Sequence, residues 1–274
     1  MIRTRLLQCM SALLALALVM GCRKDAAPTA PVTGELLFQD EFDGASGAPP
    51  SPTRWRYEVG TDWGNAQLEY DTNRTQNASL NGVGQLVITA RAETFQNRSY
   101  TSARLNTLGL FTSMHGRFEA RMKLPIGQGI WPAFWLLGSN IGTVGWPGCG
   151  EIDIMEMRGQ TPTQIQGSLH GPGYSGGASL TSSFNLTAGT FNDDFHVFSV
   201  EWSPSRIVWK VDGITYKTVT PSSLPSNGTW VFEHPFSIIL NLAVGGSYVG
   251  APNGSTVFPQ TLVVDWVRVY RITP

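Results

Sequence analysis

Apolar and polar residues alternate along most of the chain from Leu36 onward, and this period of two predicts β-strands. The clearest example is the segment 117–124, where every second residue is apolar and the intervening residues are charged. One face of this strand should pack, and the other should meet solvent. Segments 207–211 and 214–217 flank the dipeptide Asp212-Gly213, which favours a type I′ turn, so they predict a hairpin.

A final strand is predicted over 263–270, and no convincing apolar stripe with a period of 3.6 residues is found. Many short strands, separated by Gly, Pro and Asn turns within one long domain, predict an all-β sandwich of two antiparallel sheets. We assign this single domain to residues 35–274. No internal repeat is evident, which argues against a propeller.

The first 22 residues have the layout of an export signal: Arg3 and Arg5, then an apolar run over 12–20 that is too short to span a bilayer. Residues 19–22 resemble a bacterial lipobox, which predicts acylation of Cys22; ordinary cleavage nearby is the alternative. Residues 23–34 carry Pro and Thr without periodicity and are interpreted as a flexible tether. These features predict an exported protein, either a lipoprotein of the bacterial cell envelope or extracellular.

The composition points to an uncharged binding partner. Charged residues make up 14% of the chain and the formal net charge is −1, whereas about 25% charged residues is usual. Nothing in this balance suggests nucleic acid, and a hydroxyl-rich or aromatic partner fits better. Because Cys9 lies in the signal and Cys22 would carry lipid, Cys149 has no intramolecular partner and is interpreted as an inert, half-buried thiol.

The segment 151–156 carries three acidic residues with a break in the strand period. Side chains alternate on a strand, so Glu151 and Asp153 share one face, but Glu156 falls on the other. If Met155 is the extra residue of a β-bulge, the period resets and Glu156 rejoins the acidic face. The segment then presents all three acids on one side.

Three acids on one face repel each other, which makes a purely structural role less favourable than a chemical one. Glycosidic chemistry uses two carboxyl groups, one as nucleophile and one as proton donor. Glu151 and Glu156 are the natural pair, because their Cα atoms lie about 13 Å apart along a strand and two Glu side chains can close that gap. Asp153 would tune their charge. The alternatives are a solvated acidic edge, or a metal site, which the apolar neighbours of these acids disfavour.

An aromatic segment precedes the acids. Alternation places Trp131 and Trp135 on the same face of the strand over 129–138. Aromatic rings cover the C–H surface of a sugar while its hydroxyls stay free to hydrogen bond. We therefore interpret at least one of the two rings as a sugar platform, with packing in the core as the alternative.

The segment 145–156, Gly-Trp-Pro-Gly-Cys-Gly followed by the three acids, resembles the active-site strand of glycoside hydrolase family 16, and specifically of its laminarinases. The resemblance runs from about Leu36 to Tyr270. It includes segments 40–44, 100–104, 131–137, 169–171, 196–198, 201–202, 234–236, 241–246 and 264–270.

This resemblance implies a concanavalin-like β-jelly-roll with a substrate cleft across its concave sheet. It also implies retaining hydrolysis, with Glu151 as nucleophile, Glu156 as acid/base and Asp153 as helper. The extra residue Met155 resembles the laminarinase type, which implies endo-hydrolysis of β-1,3 linkages in laminarin-like β-glucans. Mixed-linkage β-1,3/1,4-glucanase activity, galactan hydrolysis and transglycosylation stay open as alternatives, and a non-catalytic carbohydrate-binding module is the remaining one.

Further residues match family positions. Sugar contacts are implied for Asn65, Arg104, Trp131, Trp135 and His170. Asp71 departs from the family pattern, where a Tyr is common. No cofactor is expected for catalysis, and a structural calcium is implied near Glu41 and Asp265. The expected partner is a β-glucan and the expected state is a monomer, with contact to a membrane only through the lipid anchor.

Overall fold

A computed structural model describes residues 34–272. The predicted signal peptide and lipidation at Cys22 lie outside the described residues, as does the tether apart from Gly34. They stay predictions, which mass spectrometry of the mature N-terminus can test. No helix within the described range is long and apolar enough to cross a membrane.

The domain is a sandwich of two sheets. The larger sheet has ten strands, ordered β15-β14-β13-β8-β17-β5-β6-β3, with β1 beside β17 and β4 beside β5. These strands are β1 (Leu36–Asp40), β3 (Glu69–Asp71), β4 (Ala78–Leu80), β5 (Leu86–Phe95), β6 (Arg98–Ser102), β8 (Gly116–Lys123), β13 (His196–Ser203), β14 (Arg206–Val211), β15 (Ile214–Val219) and β17 (Gln260–Tyr270).

The smaller sheet has seven strands in the order β12-β11-β10-β9-β16-β7-β2. They are β2 (Arg56–Tyr57), β7 (Arg104–Asn106), β9 (Ile130–Gly138), β10 (Glu151–Glu156), β11 (Gln164–His170), β12 (Leu180–Asn185) and β16 (Phe236–Val244). Pairing is antiparallel except between β3 and β6. Helical structure between residues 34 and 272 is confined to α1 (Ile141–Val144) and two 3₁₀ turns, Gly176–Ala178 and Pro221–Ser223. The predicted all-β sandwich of two antiparallel sheets is confirmed.

The hydrophobic core lies between the two sheets. Trp202 and Trp209 are fully buried on the ten-stranded sheet, and Phe134 and Ile152 are fully buried on the seven-stranded sheet. Every residue of β16 is buried, because this strand is paired on both edges and covered on both faces. The face of the seven-stranded sheet that points away from the core is therefore partly covered, and the candidate active site lies on this outer face.

The predicted hairpin is present as β14 and β15. Asp212 has a φ of 49° and Gly213 a φ of 80°, the positive angles that a type I′ turn requires. The predicted final strand is the C-terminal part of β17, which begins earlier, at Gln260.

One expectation for the segment 117–124 is wrong. Its charged face does not meet solvent throughout, since Arg117 is 8% exposed and Glu119 is 2% exposed. β8 lies in the middle of the ten-stranded sheet between β13 and β17, whose side chains cover this face. The Arg117 guanidinium lies 2.7 Å from the Glu119 carboxylate, which compensates the buried charge.

Glu41 and Asp265, the residues expected near a structural calcium, are each engaged by a different arginine. Both carboxylate oxygens of Glu41 accept hydrogen bonds from Arg268, at 2.8 and 2.9 Å. Asp265 accepts a hydrogen bond from Arg121 at 2.8 Å. Calcium needs several oxygen ligands that converge on one point. In this structure arginines occupy these carboxylates, and the calcium near Glu41 and Asp265 stays a prediction.

Candidate active site

An open cleft of about 750 Å³ crosses the outer face of the seven-stranded sheet. All eight residues predicted for catalysis or sugar binding line it. They are Asn65, Arg104, Trp131, Trp135, Glu151, Asp153, Glu156 and His170. They come from β7, β9, β10, β11 and the loop before β3, so the sheet brings together segments that are far apart in the chain.

The three acids share the cleft because β10 is bulged. Ile154 and Met155 lie between the pairs Asp153–Ser168 and Glu156–Gln166, so two residues of β10 face the single residue Gly167 of β11. Both side chains are buried in the core. The extra residue shifts the alternation by one position, and Glu156 therefore faces the same way as Glu151.

Each of the two glutamates receives one indole N–H. Trp131 Nε1 donates to Glu156 Oε1 at 2.9 Å, and Trp146 Nε1 donates to Glu151 Oε2 at 3.0 Å. Trp131 lies on β9, the strand beside β10, whereas Trp146 lies in the loop after α1 and is 48% exposed. The two donors fix the carboxyl groups from opposite ends of β10, and each leaves a second carboxyl oxygen for chemistry.

His170 contacts the other two acids from β11. Its Nε2 lies 3.0 Å from Asp153 Oδ2 and 3.7 Å from Glu151 Oε1. The backbone N–H of Gly176 donates to His170 Nδ1 at 3.1 Å, so Nδ1 is an acceptor and the ring proton is on Nε2. The imidazole therefore presents an N–H to the carboxylates.

The cluster holds fewer negative charges than it has carboxyl groups. Burial and the charge of Asp153 raise the pKa of Glu151 to about 8. Burial, with the charges of Asp153 and Glu151, raises the pKa of Glu156 well above its ordinary value. Burial raises the pKa of Asp153 to about 7. Because the negative charge of Glu151 raises the pKa of Glu156, an ionised Glu151 favours a protonated Glu156, which is the arrangement that a nucleophile and an acid require.

Arg104 and two tryptophans, Trp63 and Trp135, form one end of the cleft. The Arg104 guanidinium lies over the rings of Trp63 and Trp135, at 5.0 and 4.8 Å from their centroids. Its Nε donates to Glu58, and Trp135 Nε1 donates to Asn241 Oδ1 at 2.8 Å. These bonds hold two flat aromatic surfaces beside the acids, as sugar binding requires.

Asn65 lies in the loop before β3, next to this aromatic end. Its φ of 53° is in the left-handed region, which Asn adopts more readily than most residues. Its carbonyl oxygen accepts a hydrogen bond from the backbone N–H of Ser247 at 2.7 Å. The loop after β16 thus anchors Asn65 at the wall of the cleft.

The model of the glycosyl hydrolases family 16 matches residues 61–268. The chain belongs to this family. It is 41% identical over 271 residues to a beta-glucanase from Rhodothermus marinus, which covers 93% of this chain and 92% of that protein. It is therefore a glycoside hydrolase.

Two solved structures of family 16 resemble the whole described domain. The laminarinase catalytic domain from Thermotoga maritima has a TM-score of 0.83 at 44% identity, covering 88% of this chain and 99% of that one. The endo-beta-1,3-glucanase from Pyrococcus furiosus has a TM-score of 0.81 at 46% identity, covering 86% and 93%. The expected β-jelly-roll fold is confirmed by these likenesses.

Trp146 and Tyr248 are cleft residues of this family 16 enzyme to which sequence reasoning assigned no role. Trp146 was part of the motif, but a loop residue has no strand parity, so its bond to Glu151 could not be inferred. Tyr248 lies almost a hundred residues after the acids; its ring is 4.8 Å from the Trp131 ring, and its hydroxyl donates to Gln166 at 2.7 Å. No local sequence signal indicates either contact.

Two alternative interpretations of this strand can be judged from geometry. Glu151, Asp153 and His170 are the set of three potential metal ligands found among residues 34–272. Because the proton of His170 is on the nitrogen that faces the acids, that nitrogen offers no lone pair to a metal. Cys149 is fully buried and not half-buried as expected, because it lies under the sheet at the start of β10. Burial together with Glu151 raises the pKa of its thiol to about 11, which keeps the thiol protonated and unreactive.

Proposed function

We propose that this enzyme hydrolyses internal β-1,3-glucosidic bonds of laminarin-like β-glucans with retention of configuration. The observation that carries the proposal is the bulge at Ile154 and Met155, which places Glu151 and Glu156 on one side of β10, in an open cleft with aromatic walls. The relatives named above, a beta-glucanase, a laminarinase and an endo-beta-1,3-glucanase, support the choice of substrate.

The reaction proceeds in two displacements. Glu156, protonated at the start, donates its proton to the glycosidic oxygen while the Glu151 carboxylate attacks the anomeric carbon, and the leaving chain departs with a free hydroxyl. Glu156 is then a carboxylate and takes a proton from water, which attacks the glucosyl ester of Glu151 and releases it. The Trp146 indole N–H donates to Glu151, and His170 lies beside the same carboxylate; both favour its ionised form.

The test measures new reducing ends after incubation with laminarin, lichenan and agarose, together with the anomeric form of the first product by NMR. We expect cleavage of laminarin with the β-anomer released first. Equal cleavage of lichenan would favour the mixed-linkage alternative. Cleavage of agarose alone would overturn the substrate assignment, and release of the α-anomer first would overturn the retaining mechanism.

A further inference from the structure

The backbone of β10 at the bulge accepts a hydrogen bond from a side chain of the ten-stranded sheet, across the hydrophobic core. Trp209 on β14 is fully buried, and its Nε1 donates to the backbone carbonyl of Asp153 at 2.8 Å. A carbonyl beside a bulge cannot rely on the regular ladder for its partner, and a buried carbonyl without a partner is costly. An indole from the opposite sheet supplies that partner.

Gly167 makes room for this contact. A Cβ atom at position 167 would lie 2.6 Å from Cδ1 and 2.9 Å from Nε1 of Trp209, and 2.3 Å from the Tyr216 hydroxyl. Any larger residue would push the indole away from β10. Gly167 is also the single residue that faces the two bulge residues, so the close approach occurs directly beneath the bulge.

Lys217 on β15 bonds the partner strand. This residue is 7% exposed, and its Nζ donates to the carbonyl of Gly167 at 3.0 Å and to the carbonyl of Leu180. The ammonium group also lies 4.2 Å from the centroid of the Trp209 ring. Trp209 therefore holds one strand of the bulge, Lys217 holds the other, and the two side chains contact each other.

A second bulge directs Lys217 inward. Trp209 pairs with Lys217, but the next residue of β14, Lys210, pairs with Thr215, so Tyr216 is the extra residue of β15. The shift lets Tyr216 and Lys217, which are adjacent in sequence, both reach the interior beside Gly167. The bulge of the hairpin thus lies under the bulge of the acidic strand.

The charge of Lys217 is matched to Asp153. Burial lowers the pKa of Lys217 to about 7, and the negative charge of Asp153 opposes that shift. Lys217 in turn acts against the burial that raises the pKa of Asp153. The other ionisable groups around the bulge are Tyr216 on the interior side, and on the cleft side Glu151, Glu156, His170, Tyr248 and Arg158.

We propose that Lys217 and Trp209 are positioning residues for hydrolysis: Trp209 holds β10 at the bulge through the carbonyl of Asp153, Lys217 holds β11 through the carbonyl of Gly167, and Lys217 places a positive charge on the interior side of Asp153. The proposal rests on the proposed function, because it assumes that Glu151 and Glu156 perform the reaction. It assigns a catalytic purpose to the β14–β15 hairpin, which contributes no side chain to the cleft.

The test compares Lys217→Met and Lys217→Arg with Lys210→Met. Lys210 is a matched control because it loses the same charge on the adjacent strand, where its Nζ is bonded to Glu201. For Lys217→Met we expect kcat on laminarin to fall about tenfold or more with a nearly unchanged KM, as misplacement of reacting groups does. The pKa of Asp153, followed by NMR of its labelled carboxyl carbon, should rise in Lys217→Met, because Asp153 loses the cation that favours its charge.

Lys217→Arg should keep the Asp153 pKa of the wild type, and Lys210→Met should match the wild type in kcat and in the Asp153 pKa. A folded Lys217→Met enzyme with wild-type kcat and an unmoved Asp153 pKa would overturn the proposal. If Lys217→Met fails to fold, Trp209→Phe, which keeps an aromatic ring in the core but removes the indole N–H donor from the bulge, replaces it and must lower kcat.

Failure of the proposed function is recognised separately. If the wild type cleaves another polysaccharide, the same kinetic comparison is made on that substrate. If it cleaves none, the pKa of Asp153 is followed by NMR of its labelled carboxyl carbon. An Asp153 pKa that is identical in the wild type and in Lys217→Met would then overturn the assignment of Lys217 as its counter-charge.

Discussion

Glu151 with Asp153 on β10, and Glu69 with Asp71 on β3, are two pairs of acidic residues with the same spacing. Burial raises the pKa of Glu151 to about 8 and that of Glu69 to about 7, and both aspartates have raised pKa values as well. The pairs differ in what surrounds them. Glu151 and Asp153 line the open cleft, whereas Glu69 and Asp71 are buried behind Trp63 and Arg104 and do not line it.

The bonds of the two pairs also differ in kind. One carboxylate oxygen of Glu69 accepts the backbone N–H of Val244 at 2.8 Å, which ties β16 to the start of β3. Glu151 instead accepts an indole N–H from an exposed loop tryptophan, and its second oxygen faces the cleft. A raised pKa therefore marks burial in both places, and only access to a cleft large enough for a sugar distinguishes catalysis from structure.

The largest effect should come from Glu156→Gln and Glu151→Gln. Loss of the acid or of the nucleophile should lower kcat on laminarin by about 10³-fold or more. Glu69→Gln makes the same chemical change at a buried acid of the other pair and should stay within about threefold of the wild type. The measurement is reducing-end kinetics, with circular dichroism to show that each variant is folded.

The same measurements can also contradict the distinction between the acidic pair on β10 and the acidic pair on β3. If Glu69→Gln lost as much activity as Glu156→Gln, with its fold intact, the β3 pair would belong to the catalytic machinery. Wild-type activity in either cleft variant would contradict the roles assigned to Glu151 and Glu156.

The catalytic strand was the most predictable part of this molecule from sequence. An acid out of phase by one position indicated an extra residue, and the strand has its bulge between Asp153 and Glu156. Parity likewise predicted that Trp131 and Trp135 share a face, and both line the cleft. Such inferences succeed because side-chain direction along a strand depends only on local geometry.

Contacts between distant segments were beyond sequence reasoning. The charged face of β8 looked solvated because alternation says which way a side chain points, and not which neighbouring strands cover it. Glu41 and Asp265 matched a family position, yet each binds a different arginine whose placement depends on sheet order. Lys217 lies in the predicted hairpin, and no sequence signal indicates a special role for it. Only the packing of the ten-stranded sheet under the bulge shows its contacts.

An effect of intermediate size is expected for Glu69→Gln on the pH dependence of the free energy of unfolding. Glu69 has a folded pKa of about 7, above its ordinary value of 4.5. Between these two values the unfolded chain has released the proton and the folded chain has kept it, so the free energy of unfolding falls as the pH rises from 4.5 to 7. Glu69→Gln cannot ionise and should lack this part of the decline, which is about 3 kcal/mol.

Urea unfolding at a series of pH values measures this difference as wild type minus variant. Glu35→Gln is the matched control, because Glu35 is an exposed acid paired with Arg271, and its curve should run parallel to that of the wild type. A pH-independent difference between Glu69→Gln and the wild type would mean that Glu69 is ionised in the folded protein across this range. The two acidic pairs would then differ in charge as well as in access.

The smallest effect should come from Trp146→Phe, which tests the feature that sets Glu151 apart from Glu69. The change keeps an aromatic ring in the loop but removes the indole N–H that lowers the pKa of Glu151. Glu151 should then ionise at higher pH, so the acidic limb of kcat/KM moves upward while the rate above that limb changes by about threefold or less. Trp230→Phe is the control, because the Trp230 indole donates to Glu233 outside the cleft. An acidic limb that stays in place in Trp146→Phe would mean that the indole only shapes the cleft, and that solvent access and Asp153 alone separate the catalytic pair from the structural one.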